Sequence, residues 1–181
     1  MMLNLPNFIS VARIILVPLF IILSIDQDFG GALFIFVVAA ISDAVDGLLA
    51  RILQQRTVLG SYLDPAADKL LNTSAYVVLA ALNIVPGWLA VIVVSRDVII
   101  ILGIMILFLT SHPLEIRPSI ASKLTTTFQF GTVVFTLYSK YAAFQVPFLF
   151  DILIWGTAAA TVVSGMQYVG RGIKIFNQGM S

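Results

Sequence analysis

Apolar residues in this chain come in long unbroken runs separated by short polar breaks. About 20 consecutive apolar residues cross a bilayer as a helix. On that rule, runs near 8–25, 30–53, 66–83, 86–109, 120–140 and 148–170 predict six transmembrane helices. The runs are continuous rather than alternating, which speaks for helices and against a barrel. The breaks carry turn chemistry: Asp26-Gln27-Asp28 with Gly30-Gly31, Asn83 through Pro86-Gly87, His112-Pro113, and Pro147. Pro18 lies inside the first run and predicts a kink or a close contact there.

Composition strengthens this picture. The 181 residues are 60% hydrophobic and 10% charged, with a mean hydropathy of +1.04, which excludes an ordinary soluble domain and favours one integral membrane domain over 1–181. A net charge of +1 offers nothing to nucleic acid, and the absence of cysteine rules out disulfides and thiolate metal sites. Arg13 comes only after Leu3, Leu5 and Phe8, so no basic segment precedes the first apolar run and no cleaved signal peptide is expected. Arg51, Arg56, Arg117, Lys123, Arg171 and Lys174 follow spans 2, 4 and 6, whereas Lys140, Asp26 and Asp28 lie on the other side. The positive-inside rule then puts both termini in the cytoplasm, with the protein in the cytoplasmic membrane. Trp88 and Trp155 fall where interface anchors are expected.

Charge is concentrated in one place. Four of the nine acidic residues fall between Asp43 and Asp68. Asp43 and Asp46 are spaced i, i+3, and Asp64 and Asp68 are spaced i, i+4, so each pair shares a helix face. Carboxylates gathered in a membrane need cations or protons between them. Hard oxygen donors suit Mg²⁺ or Mn²⁺ rather than zinc. The same acids could line an ion pathway, and Gly47, Ala50 and Gly60 could serve only close helix packing.

Eight positions decide between these readings. Asp43, Asp46, Gly47, Ala50, Arg51, Gly60, Asp64 and Asp68 reproduce, without departure, the signature of the CDP-alcohol phosphatidyltransferases, and the chain resembles that family over most of its length. The resemblance implies six membrane helices with a two-metal active site at the cytoplasmic side, and transfer of a phosphatidyl group from a CDP-linked lipid to an alcohol with release of CMP. It makes Asp43, Asp46, Asp64 and Asp68 ligands of two Mg²⁺ or Mn²⁺ ions, and Asp68 also the general base. It puts Asn7, Gly47, Arg51 and Thr57 at the CDP-lipid, and it implies a homodimer.

The acceptor is less strongly marked. Arg96 lies deep in the fourth run, where a guanidinium must face the bundle interior. Asp97 is about 100° away around the helix and need not neutralise it. With Arg117, Lys123 and Arg171, Arg96 could form a pocket for a phosphorylated alcohol, although Arg117 and Arg171 also fit plain positive-inside topology. The segments L-P-N-F-I-S-V-A-R-I-I-L-V-P-L-F, L-D-P-A-A-D-K and S-R-D look like family members that accept glycerol 3-phosphate. Ser122 to Gln129 is similar to a segment shared with members that accept phosphatidylglycerol. The expected substrates are CDP-diacylglycerol and glycerol 3-phosphate.

Overall fold

The computed structural model describes the backbone of residues 5–52, 58–109, 120–144 and 146–178, and side chains within 13–42, 69–103, 105, 121–144 and 146–173. Among the described residues the fold is all-α, with six helices: α1 Leu5–Ile25, α2 Phe29–Ile52, α3 Val58–Ala81, α4 Gly87–Leu109, α5 Ile120–Tyr141 and α6 Pro147–Gln178. Pro147–Ile173 is the one stretch among the described residues long and apolar enough to cross a membrane. Arg13–Ile25 and Phe29–Ser42 are shorter apolar stretches within α1 and α2.

Local chemistry sets several helix ends. Gln27, Asn83 and Ala143 adopt positive φ of 61°, 56° and 50° just past the ends of α1, α3 and α5. This left-handed residue lets the following amide reach back to the last turn: Asp28 N–H to Leu23 O at 2.9 Å, Ile84 to Leu79 at 2.9 Å, and Phe144 to Ser139 at 3.1 Å. Asp28 then starts α2, its carboxylate accepting from Gly31 N–H at 3.0 Å. Pro18 is held within α1 without ending it.

The chain forms two compact units, Met1–Val85 with Val133–Val146, and Pro86–Thr132 with Pro147–Ser181. In the first, α1 packs against α2 and α3, and α2 touches α3. Phe20, Ala32, Phe36, Ala39, Leu71, Ala75 and Leu79 are buried, with the Phe20 and Phe36 rings 5.7 Å apart. Gly30 is required by closeness, since a Cβ there would come within 2.7 Å of the Tyr141 ring. In the second unit α4 packs against α6. Trp88 and Trp155, both exposed, meet with ring centroids 5.2 Å apart.

Candidate active site

The signature falls on two consecutive helices. Asp43, Asp46, Gly47, Ala50 and Arg51 occupy the second half of α2, and Gly60, Asp64 and Asp68 the first half of α3. A helical backbone runs through both segments, so positions 43 and 46, and positions 64 and 68, are each about one turn apart on their helix. Asn7 lies in α1. The side chains of Asn7, Asp43, Asp46, Gly47, Arg51, Asp64 and Asp68, and the whole of Thr57 and Arg117, lie outside the described residues. Among the described residues no three His, Asp or Glu side chains gather as a metal site. The donor set of the signature, four carboxylates and no imidazole or thiolate, is chemically suited to Mg²⁺ or Mn²⁺.

Beyond the signature, α3 continues with Lys69 and Asn72, both half-buried, and with the fully buried Tyr76. All three make polar or ring contacts. Spaced i, i+3 and i+7, the three share one face of the helix. Arg13, read from the sequence only as a late basic residue, is 1% exposed on α1. Its side chain has partners, although Nε makes no hydrogen bond. A lone arginine six residues beyond Asn7 in an apolar run was the available signal.

Of the four expected acceptor residues, Arg96, Lys123 and Arg171 are described. Arg96 is 8% exposed, whereas Lys123 on α5 and Arg171 on α6 are exposed to solvent or lipid. Contrary to the expectation from helix angle, Asp97 does pair with Arg96, through Nη1 and Oδ1 at 2.7 Å. The flexible arginine stem spans the 100° offset between neighbours. Arg96 Nη2 donates to Ser122 Oγ at 3.2 Å on α5 and to Ser164 Oγ at 3.0 Å on α6. Its Cζ lies 5.8 Å from the centre of the Tyr168 ring, within cation–π range. One guanidinium thus ties α4, α5 and α6 together. Lys123 and Arg171 take no part in its hydrogen bonds.

Hydroxyl groups extend this polar seam between α5 and α6. Thr125 donates to the Ala160 carbonyl at 2.8 Å, and the Thr132 and Thr157 hydroxyls are 2.7 Å apart. Gln129 Nε2 donates to Thr161 Oγ1 at 3.3 Å, and Thr161 donates in turn to the Thr157 carbonyl at 2.6 Å. The pattern was legible in principle: 122, 125, 129 and 132 on α5, and 157, 161, 164 and 168 on α6, each recur at helical spacing. Reading spans by apolar content alone passes over it.

The CDP-alcohol phosphatidyltransferase family model matches residues 3–163. The chain is 33% identical to a Bacillus subtilis CDP-diacylglycerol–glycerol-3-phosphate 3-phosphatidyltransferase, over 94% of this chain and 95% of the relative. It is 37% identical to a Streptomyces coelicolor CMP-forming cardiolipin synthase, over 96% of this chain and 78% of the relative. It is 32% identical to the human CMP-forming cardiolipin synthase, of which it covers 62%. A signature complete at every position, on two adjoining helices inside a match spanning most of the sequence, makes this chain an enzyme of the CDP-alcohol phosphatidyltransferase family, a transferase of phospholipid head-group synthesis.

Proposed function

We propose that the chain transfers the phosphatidyl group of CDP-diacylglycerol to sn-glycerol 3-phosphate, giving phosphatidylglycerol phosphate and CMP. The observation that carries the choice of acceptor is the match in length and sequence to the Bacillus subtilis relative, which aligns almost end to end. A second reading, with phosphatidylglycerol as acceptor and cardiolipin as product, is favoured by the 37% identity to the Streptomyces coelicolor relative.

The six helices are each 21 residues or longer, or about 31 Å at 1.5 Å per residue. That matches the hydrocarbon thickness of a bilayer, so we assign all six as membrane spans. Both termini and the aspartate signature then lie on the cytoplasmic side, and the enzyme works as a homodimer. Asp43, Asp46, Asp64 and Asp68 would hold two Mg²⁺ or Mn²⁺ ions, which when bound supply positive charge to the diphosphate of the CDP-lipid.

The chain's own groups do the rest. Gly47, with no side chain, lets the nucleotide come close to α2, and Arg51, Asn7 and Thr57 bind it. Asp68 takes the proton from the acceptor hydroxyl as its oxygen bonds to the phosphatidyl phosphorus and the bond to the departing CMP breaks. Arg96, Arg117, Lys123 and Arg171 hold the acceptor's phosphate.

The test is CMP release by purified protein with CDP-diacylglycerol and Mn²⁺, comparing glycerol 3-phosphate, phosphatidylglycerol, inositol and serine. Release with glycerol 3-phosphate alone supports the first reading. Release with phosphatidylglycerol alone replaces it with the second.

A further inference from the structure

Arg96 is not an open cation awaiting an anion. Its charge is already met by Asp97 at 2.7 Å, and the two side chains are equally hidden at 9% exposure. Ser122 and Ser164 hold Nη2 from two other helices, and the Tyr168 ring lies against the guanidinium. Nε is buried without an acceptor. The group is therefore fixed in place yet not saturated, with Oδ1 of Asp97 occupying an N–H that a phosphate oxygen would otherwise use. A phosphate oxygen approaching Nη1 would meet the Asp97 carboxylate already bound there, so the two anions compete for one group.

We infer that Asp97 is a positioning residue for the acceptor side of the reaction. It stands in for the acceptor's phosphate on Arg96 while the site is empty, and it competes with that phosphate for the guanidinium. This rests on the reading of Arg96 as an acceptor-binding residue. Asp97 keeps the buried arginine compensated and oriented between turnovers, and it sets the acceptor's affinity at a moderate level. Ser122 and Ser164 act with it, since they hold Nη2 whichever anion faces Nη1. The serines orient the arginine; the aspartate tunes it.

The decisive variant is Asp97→Asn, which removes the competing charge and keeps the side chain's shape. Melting temperature is measured for full-length wild type and variant, alone, with inorganic phosphate and with glycerol 3-phosphate, alongside KM for both substrates. Without ligand the variant should melt below wild type. Phosphate should raise its melting temperature by at least about twice the wild-type shift, and KM for glycerol 3-phosphate should fall about threefold or more with KM for the CDP-lipid unchanged. A lower melting temperature with an unaltered phosphate shift and unaltered KM would overturn the inference and leave Asp97 a structural partner. No phosphate shift in either protein would overturn it as well.

Should Asp97→Asn fail to fold, Asp97→Glu and Ser164→Ala carry the test. The first should keep the wild-type phosphate shift. The second should raise KM for the acceptor while sparing that for the CDP-lipid, and equal effects on both would count against the inference. Inorganic phosphate keeps the test separate from the identity of the acceptor. Wild-type turnover with phosphatidylglycerol alone would remove the glycerol 3-phosphate reading, yet the phosphate shifts would still report on Arg96 and Asp97.

Discussion

The unit containing α1, α2 and α3 and the unit containing α4, α6 and the first half of α5 fill their interiors differently. Among described side chains, the first is packed by Phe20, Phe36, Leu71 and Leu79 with small alanines between, and its buried Ser24 bonds only within its own helix, to the Phe20 carbonyl at 2.8 Å. The second buries Arg96, Asp97, Thr125, Gln129, Thr132, Thr157, Thr161 and Ser164, and the hydrogen bonds of many of these cross between helices. Packing among small and apolar residues works equally well in oil and in protein, so it holds helices together without fixing much chemistry. A hydrogen-bonded seam fixes which hydroxyl meets which. Among described side chains, the unit bearing the aspartate signature is thus packed mainly by apolar groups around the buried Arg13 and Thr136, while the other unit is specified by polar pairs.

Five substitutions test that contrast. Asp68→Asn should show the largest effect, a loss of about 10³-fold or more in turnover, with the melting temperature in metal-free buffer close to wild type. Turnover within a few-fold of wild type would remove Asp68 from the chemistry. Next, Arg13→Met takes the one deeply buried charge from the described part of α1–α3. A loss of about 3 kcal/mol is expected if its partners are charged, and an unchanged denaturation midpoint would show that α1 carries the arginine at no structural gain.

The seam itself is tested by a cycle. Thr132→Val should cost about 1 kcal/mol by orphaning the buried Thr157 hydroxyl, and Thr157→Val less, because the Thr132 hydroxyl still donates to the Phe128 carbonyl at 2.9 Å. The double variant should cost little more than Thr132→Val, because both partners are then apolar. Additive losses would mean that the 2.7 Å contact does not couple α5 to α6. The smallest effect belongs to Ala143, whose φ of 50° strains any residue with a side chain. Ala143→Gly should raise stability by up to about 1 kcal/mol, seen as a small rise in melting temperature.

Much of the fold was legible because apolar runs and helices coincide. The run at 86–109 became α4 at Gly87–Leu109, and 120–140 became α5 at Ile120–Tyr141. The departures have physical causes. α3 begins at Val58 rather than 66, since helical hydrogen bonding continues through the polar residues around Asp64 that an apolar count leaves out. α6 continues to Gln178, past the point where Arg171 makes the sequence polar. The aspartate signature was readable by identity alone. The pairing of Arg96 with Asp97, and the choice of Ser122 and Ser164 as partners, was not, because it depends on where three helices meet and on a rotamer that spacing does not dictate.

On the proposed assignment of α5 and α6 as membrane spans, the seam between them has a consequence for biogenesis. Taken singly, α5 would bring Thr125, Gln129 and Thr132 to the lipid without partners, an unfavourable entry for a lone segment. Paired with α6 across the short turn at Ala143, those groups are already satisfied by Ala160, Thr161 and Thr157. The two helices are therefore suited to leave the insertion machinery together, as a hairpin zipped before it meets lipid.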